Sequence, residues 1–145
     1  MAVGDAMTVR VVTVTPKATV REAITRMLEE GIGSVAVCEG PRLVGIFTER
    51  DVLRVAGEGS MFGDVAVEDV MTPRPITVSP GDDIVGAAQL MAARRVRHLP
   101  VCEGDFLVGM LGIRDVLPRL VEAAADQAQD ARETARALLT RAPRA

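Results

Sequence analysis

The sequence predicts an α/β (α+β) fold: two β-α-β-β-α repeats packed about a pseudo-twofold axis, plus a C-terminal helix. Three observations predict it. Sliding the 145-residue chain by 64 positions aligns Ala2–Leu53 with Ala66–Leu117 without a gap, and 22 of the 52 aligned positions are identical, which marks an internal duplication. Each copy holds one apolar stripe of helical period followed by two short apolar runs of strand length. Apolar residues make up 48% and charged residues 26% of the chain, ordinary globular usage, so a core is feasible in one domain or in two lobes that share one.

The elements follow in order. A short extended piece ends at Pro16, and at Pro80 in the second copy. Thr19-x-x-Glu22 then forms a capping box ahead of Val20, Ala23, Ile24, Met27 and Leu28, an amphipathic helix closed by Gly31. In the second copy Asp83 caps, and Ile84, Ala87, Ala88 and Met91 make the stripe. Two strands follow, Ser34–Cys38 and Leu43–Phe47, joined by a four-residue loop that contains Gly40; their counterparts are His98–Cys102 and Leu107–Leu111. A second helix starts at Thr48, with a capping hydroxyl at N-cap and the Asp51 carboxylate at N3. Met27, Met71, Met91 and Met110 are expected in the core, and Gly45 and Gly109 are expected where backbone packs closely. The chain divides as residues 1–54 for the first copy, 55–65 for a connection, 66–117 for the second copy and 118–145 for a tail. One copy alone leaves a sheet face uncovered, so the two are expected to bury those faces against each other.

Composition narrows function. The formal net charge is −3, with no Trp, no Tyr and three Phe, so neither an electrostatic footprint nor a stacking platform for nucleic acid is present. No apolar run approaches the roughly 20 residues that span a bilayer. The start, Met1–Asp5, reads as no signal peptide, and the cytoplasm is the expected location. With two cysteines, Cys38 and Cys102, and one histidine, His98, a conventional zinc site is not expected and both thiols are expected free. No nucleophile elbow or phosphate-binding Walker loop occurs, so no catalytic residue is expected.

Met71-Thr72-Pro73, Arg97-His98-Leu99-Pro100-Val101 and the pattern Gly45-Ile46-Phe47-Thr48-Glu49-Arg50-Asp51 at the end of each copy together resemble the CBS domain, a module that occurs in tandem pairs. The resemblance covers about Ala2–Leu117 and is similar to small stand-alone bacterial members. It implies a non-catalytic regulatory module that binds AMP, ADP, ATP or S-adenosylmethionine in a cleft between the repeats, with no required cofactor. It also implies a homodimer that signals to an effector protein not identified by the sequence. The alternative is a ligand-independent stress-response or interaction module with a vestigial cleft.

The resemblance carries over residue by residue. Asp51 suits a ribose diol, since its carboxylate accepts two hydroxyl hydrogen bonds, and Thr48 suits a phosphate at a helix N-terminus. Arg50 follows in the same motif. Arg97 and His98 supply positive charge, and Ile76, Thr77 and Val78 match the segment that holds adenine through its backbone. These eight residues make the expected primary cleft. In the second copy Gly112 replaces the hydroxyl, and Thr15, Gly33, Ser34, Arg114 and Asp115 make the expected secondary cleft.

The tail carries Leu120, Val121, Ala124, Ala128, Ala131, Ala135 and Leu138 at helical spacing. A new helix is expected to begin near Pro118, and its thin stripe needs a partner, either its own module or a second subunit. Arg132, Arg136, Arg141 and Arg144 make a positive patch too small and too poor in aromatics for nucleic acid.

Overall fold

The computed structural model describes residues 1–141; residues 142–145, Arg144 among them, lie outside the described residues. The elements run β1 (Thr13–Val14), α1 (Val20–Glu30), β2 (Ser34–Glu39), β3 (Arg42–Thr48), α2 (Glu49–Gly57), β4 (Thr72–Pro73), α3 (Ile84–Arg94), β5 (His98–Glu103), β6 (Phe106–Gly112) and α4 (Ile113–Arg141). The sheet order is β1-β2-β3-β6-β5, with β4 beside β3. Each hairpin is antiparallel, and each has a register irregularity at the same place, Val37/Cys38 and Val101/Cys102. The duplication is therefore structural as well as sequential.

Local chemistry accounts for the helices. The hydroxyl of Thr19 accepts from the Glu22 N–H at 3.1 Å while Glu22 accepts from the Thr19 N–H at 3.0 Å, the reciprocal cap that the spacing predicts. Gly31 closes α1 at φ 63°, where the absence of a Cβ removes the left-handed penalty. Arg95, its counterpart after α3, takes φ 55° with a side chain, so the second copy keeps the turn at a cost of roughly 1–2 kcal/mol. Phe47 and Leu111, equivalent residues on β3 and β6, are both fully buried, each contributing roughly 2 kcal/mol by leaving water.

The two cores are built by exchange. The first core gathers Val20, Ala23, Met27, Val35, Val37 and Phe47, and it is completed by Val67, Val70 and Met71 from the second copy. The second gathers Ile84, Ala87, Met91, Leu99, Val101, Leu111 and Val116, and it is completed by Val3, Ala6 and Met7 from the first. Each N-terminal segment crosses to pair with the other copy: Thr8 bridges Met110, and Thr72 pairs with Ile46. Gly45 and Gly109 are where these crossings pass. A Cβ on Gly45 would overlap the Met71 sulfur, and one on Gly109 would lie 2.5 Å from the Met7 sulfur and 3.1 Å from the Thr8 carbonyl oxygen. A third cluster between the copies holds Ala36, Cys38, Ile46 and Met110, with Val11, Leu43 and Leu107 around it.

The tail departs from expectation. No new helix begins near Pro118; α4 is one helix of 29 residues with Pro118 inside it. Pro118 deletes the bond to the Arg114 carbonyl, but Val116 before it is buried and Leu120 after it packs on the second core, so tertiary packing holds both flanking turns. From Val121 to Leu139 the side chains are exposed, so this arm does not pack on its own module.

Both thiols are free and buried. Burial, with Cys102 nearby, pushes Cys38 up to about 11, and burial with the Asp105 carboxylate raises Cys102. Two predictions follow from this packing. Gly109→Ala lowers stability by about 1–3 kcal/mol, and by more than Gly45→Ala, read from denaturant midpoints. The reason is that the Thr8 carbonyl is held by the Met110 N–H at 2.9 Å, whereas the three nearest atoms at Gly45 all belong to the flexible Met71 side chain. A thiol-reactive dye at pH 7.5 labels the native chain far more slowly than the urea-unfolded chain, because thiolate is scarce at both sites.

Candidate ligand cleft between the repeats

The strand starts and helix starts of each copy are neighbours by register. Ser34 pairs with Thr48 and His98 pairs with Gly112. The Glu49 N–H donates to the Gly33 carbonyl at 3.0 Å, and the Ile113 N–H donates to the Arg97 carbonyl at 2.9 Å. Gly33 is wedged between Glu49 and His98: a Cβ there would lie 3.3 Å from the Glu49 carboxyl carbon and 3.4 Å from His98 Cε1. The two copies therefore meet at Gly33, Glu49 and His98.

A cleft of about 310 Å³ opens beside this junction, at the small end of the range for small-molecule sites. Its walls are Thr8 and Arg10–Val12 from the crossing segment, Gly31–Ser34 and Glu49 from the first copy, and Arg97, His98, Met110 and Gly112–Asp115 from the second. Three arginines, Arg10, Arg97 and Arg114, and two carboxylate residues, Glu49 and Asp115, are among the lining residues. The N-terminus of α4 opens onto it, adding the positive end of a helix dipole. Such a wall suits an anion next to a hydroxyl-bearing group.

The two Asp residues differ in what they have left to offer. Asp51 is buried, and its Oδ2 accepts from the Thr48 N–H at 2.9 Å and the Thr48 hydroxyl at 3.2 Å. Its Oδ1 faces Arg54 Nη2 at 3.4 Å, and that guanidinium also donates to the Val70 carbonyl at 2.6 Å. In the second copy Pro118 stands where Arg54 stands in the first. Asp115 Oδ2 accepts from the Gly112 N–H at 2.8 Å, and among the described residues Oδ1 has no partner.

The sequence-derived sets are regrouped. Arg97 and His98, expected with Thr48 and Asp51, line the same cleft as Gly33, Ser34, Arg114 and Asp115. The reason is register, since His98 sits beside Gly112 rather than beside Thr48. Thr15, expected in that cleft, is exposed in the turn beyond β1, because the parallel pairing of Val14 with Val37 carries the chain away from Ser34. Val78 is a core residue whose N–H donates to the Pro100 carbonyl at 3.1 Å and whose carbonyl accepts from the Cys102 N–H at 2.9 Å, leaving its backbone committed to the sheet. Ile76 packs on the second core and Thr77 is exposed. Arg50 lines a different, largely apolar groove between α3 and α4. Glu49, Thr8 and Arg10–Val12 were not singled out from sequence; the 64-residue shift maps Arg10–Val12 two residues ahead of Ile76–Val78, and that offset was the available signal. Among the described residues no group of His, Cys, Asp or Glu is placed to hold a metal ion, and no helix is long and apolar enough to cross a membrane.

The duplicated fold with a cleft at the junction defines a tandem-repeat module, and comparison with known proteins assigns its family. The model of the CBS domain matches residues 3–58 and 67–122, and the chain belongs to the CBS domain family. It is 34% identical over 116 residues to the CBS domain-containing protein YhcV of Bacillus subtilis (strain 168), covering 79% of this chain and 82% of that one. It is similar to the structure of a putative signal-transduction protein with CBS domains from Burkholderia ambifaria MC40-6, at 35% identity and TM-score 0.74, covering 79% of this chain and 85% of that chain. It is also similar to a CBS domain protein from Pyrobaculum aerophilum complexed with AMP, at 26% identity and TM-score 0.76, covering 84% and 99%.

His98 is the titrating group of the cleft. Burial first, then Arg97 and Arg114, pull it below its ordinary 6.5, against Glu49 and Asp115. The unfolded chain therefore takes up the proton before the native one as pH falls, so this contribution to stability is complete above pH 6.5 and is lost below it. In ligand-free protein, His98→Gln is expected to lose less stability than the unmodified chain between pH 7 and about pH 5.5, read as denaturant midpoints at each pH.

Proposed function

We infer that this chain is a non-catalytic regulatory module that binds an adenine nucleotide in the cleft holding Asp115. The observation that carries the reading is the spare Oδ1 of Asp115 at the mouth of α4, in a cleft that Arg10, Arg97 and Arg114 also line. A carboxylate with an uncommitted oxygen suits a ribose diol, while the guanidiniums and the helix N-terminus suit a phosphate. The AMP complex of the Pyrobaculum aerophilum relative supports the ligand class. The Thr48–Asp51 side is the second site in this reading, since Asp51 must first release Arg54 and Thr48. Binding changes the angle between repeats, or between modules of a cytoplasmic homodimer, to the extent that the ligand favours one arrangement over the other, and an effector protein reads the change.

A ligand-independent interaction module is the second reading, favoured by Gly112, which removes the hydroxyl from the Asp115 cleft. Calorimetric titration with AMP, ADP, ATP and S-adenosylmethionine separates the two. AMP binding is expected, and Asp115→Asn is expected to weaken it about tenfold or more, the value of a hydrogen bond to a charged group, with a smaller effect from Asp51→Asn. Flat titrations with all four ligands overturn the first reading in favour of the second, and equal losses at the two Asp residues overturn the ranking of sites.

A further inference from the structure

The imidazole of His98 sits between two carboxylates at the junction of the repeats. A Cβ built on Gly33 would lie 3.4 Å from Glu49 Oε1 and 3.4 Å from His98 Cε1, so that carboxylate and that edge of the ring share one small volume. A Cβ built on Gly112 would lie 3.4 Å from Asp115 Oδ2 and 3.8 Å from His98 Cδ2. Glu49 therefore flanks one edge of the ring and Asp115 the other. Among the described residues neither ring nitrogen has a hydrogen bond or an ion pair, and neither is sealed from water. The ring lines the cleft with its polar atoms unclaimed.

Its charge is finely balanced. Glu49 from α2 and Asp115 from α4 favour the imidazolium, while Arg97 ahead of β5 and Arg114 from α4 oppose it. Arg10, from the crossing segment, lines the same cleft. Burial is the largest influence and tips the ring toward the neutral form, so it carries no charge at pH 7.5 in the ligand-free protein. A phosphate entering the cleft adds negative charge on the side of the two carboxylates and reverses that balance. The imidazolium then has two N–H donors to offer, where the neutral ring has one. Ser34 holds the matching position in the first copy and pairs with Thr48. A hydroxyl does not titrate in this range, so the device belongs to His98.

We propose, on the reading of this cleft as a nucleotide site, that His98 takes up a proton as the phosphate of the ligand enters, so that acidification tightens binding. The bound state holds more protons than the free state, and affinity therefore rises as pH falls. Cleft occupancy then reports pH as well as nucleotide concentration.

The test reads the ring directly in the full-length chain. His98 is the one histidine of the sequence, so its ring-proton NMR signals identify themselves. Titrated in free protein and in protein saturated with AMP, the midpoint is expected to move upward with AMP. In parallel, AMP dissociation constants are measured by calorimetry at pH 6 and pH 8 for the unmodified chain and for His98→Gln. The second ionisation of AMP, at about pH 6, acts alike on both proteins and cancels in their ratio. The advantage of the unmodified chain over His98→Gln is expected to be about fivefold larger at pH 6 than at pH 8. An unmoved or lowered midpoint with AMP bound, or an equal advantage at both pH values, overturns the proposal and leaves nucleotide binding standing. A flat AMP titration removes AMP binding itself and the proton linkage with it.

Discussion

The fold depends on a reciprocal crossing: the N-terminal segment of each repeat leaves its own half and completes the core of the other. Met7 passes over Gly109 and Met71 passes over Gly45, in space that a single extra carbon would fill. Val3 and Val67, fully buried in opposite cores, mark the same exchange. Neither repeat can close its core without the other, so the two halves form one body. The hairpins themselves touch mainly through their turns, where Leu43 donates to the Asp105 carbonyl and Leu107 to the Pro41 carbonyl, each at 3.0 Å. The crossing segments, together with the Ala36, Ile46 and Met110 cluster, supply the remaining adhesion.

The same crossing makes the cleft. Because Thr8 is tied to Met110 by hydrogen bonds in both directions, the chain from Thr8 to Val12 is held along the mouth of α4 and forms a wall that no single repeat possesses. Pseudo-symmetry then offers an equivalent place beside α2, and sequence divergence breaks the equivalence. Arg54 neutralises Asp51 where Pro118 leaves Asp115 open, Thr48 ties down a carboxylate oxygen where Gly112 offers only its N–H, and Arg97-His98 stands where the first copy has Gly33-Ser34. The carboxylate of the first copy is engaged on both oxygens, and that of the second on one. Helix α4 begins beside that open carboxylate and runs on into the exposed arm, so one helix spans both.

Much of this was legible before any coordinates. The gapless 64-residue repeat, the Thr19–Glu22 capping box, the Gly31 stop and the two hairpins are local features, and each appears at the expected residues with ends shifted by one or two positions. The close packing at Gly45 and Gly109 was also legible, but its partner was not, since nothing in the spacing of Met7 or Met71 says that these segments exchange. The candidate site residues are grouped in the structure otherwise than the sequence suggested. Arg97 and His98 belong with Asp115 because antiparallel register sets His98 against Gly112, and Val78 is spent on the sheet because a parallel bridge to Val101 takes its backbone. At Pro118 local propensity argued for a break, and burial of Val116 together with packing of Leu120 overrode it.

Sequence alone determined the elements and the fact of duplication, because caps, turns and amphipathic stripes are set by residues a few positions apart. Tertiary structure decided which copy completes which core, which carboxylate keeps an oxygen free, and that α4 runs on into solvent. Those outcomes rest on contacts between residues as far apart as Met7 and Gly109 or Arg54 and Val70, and a contact across such a separation leaves no periodic trace along the chain.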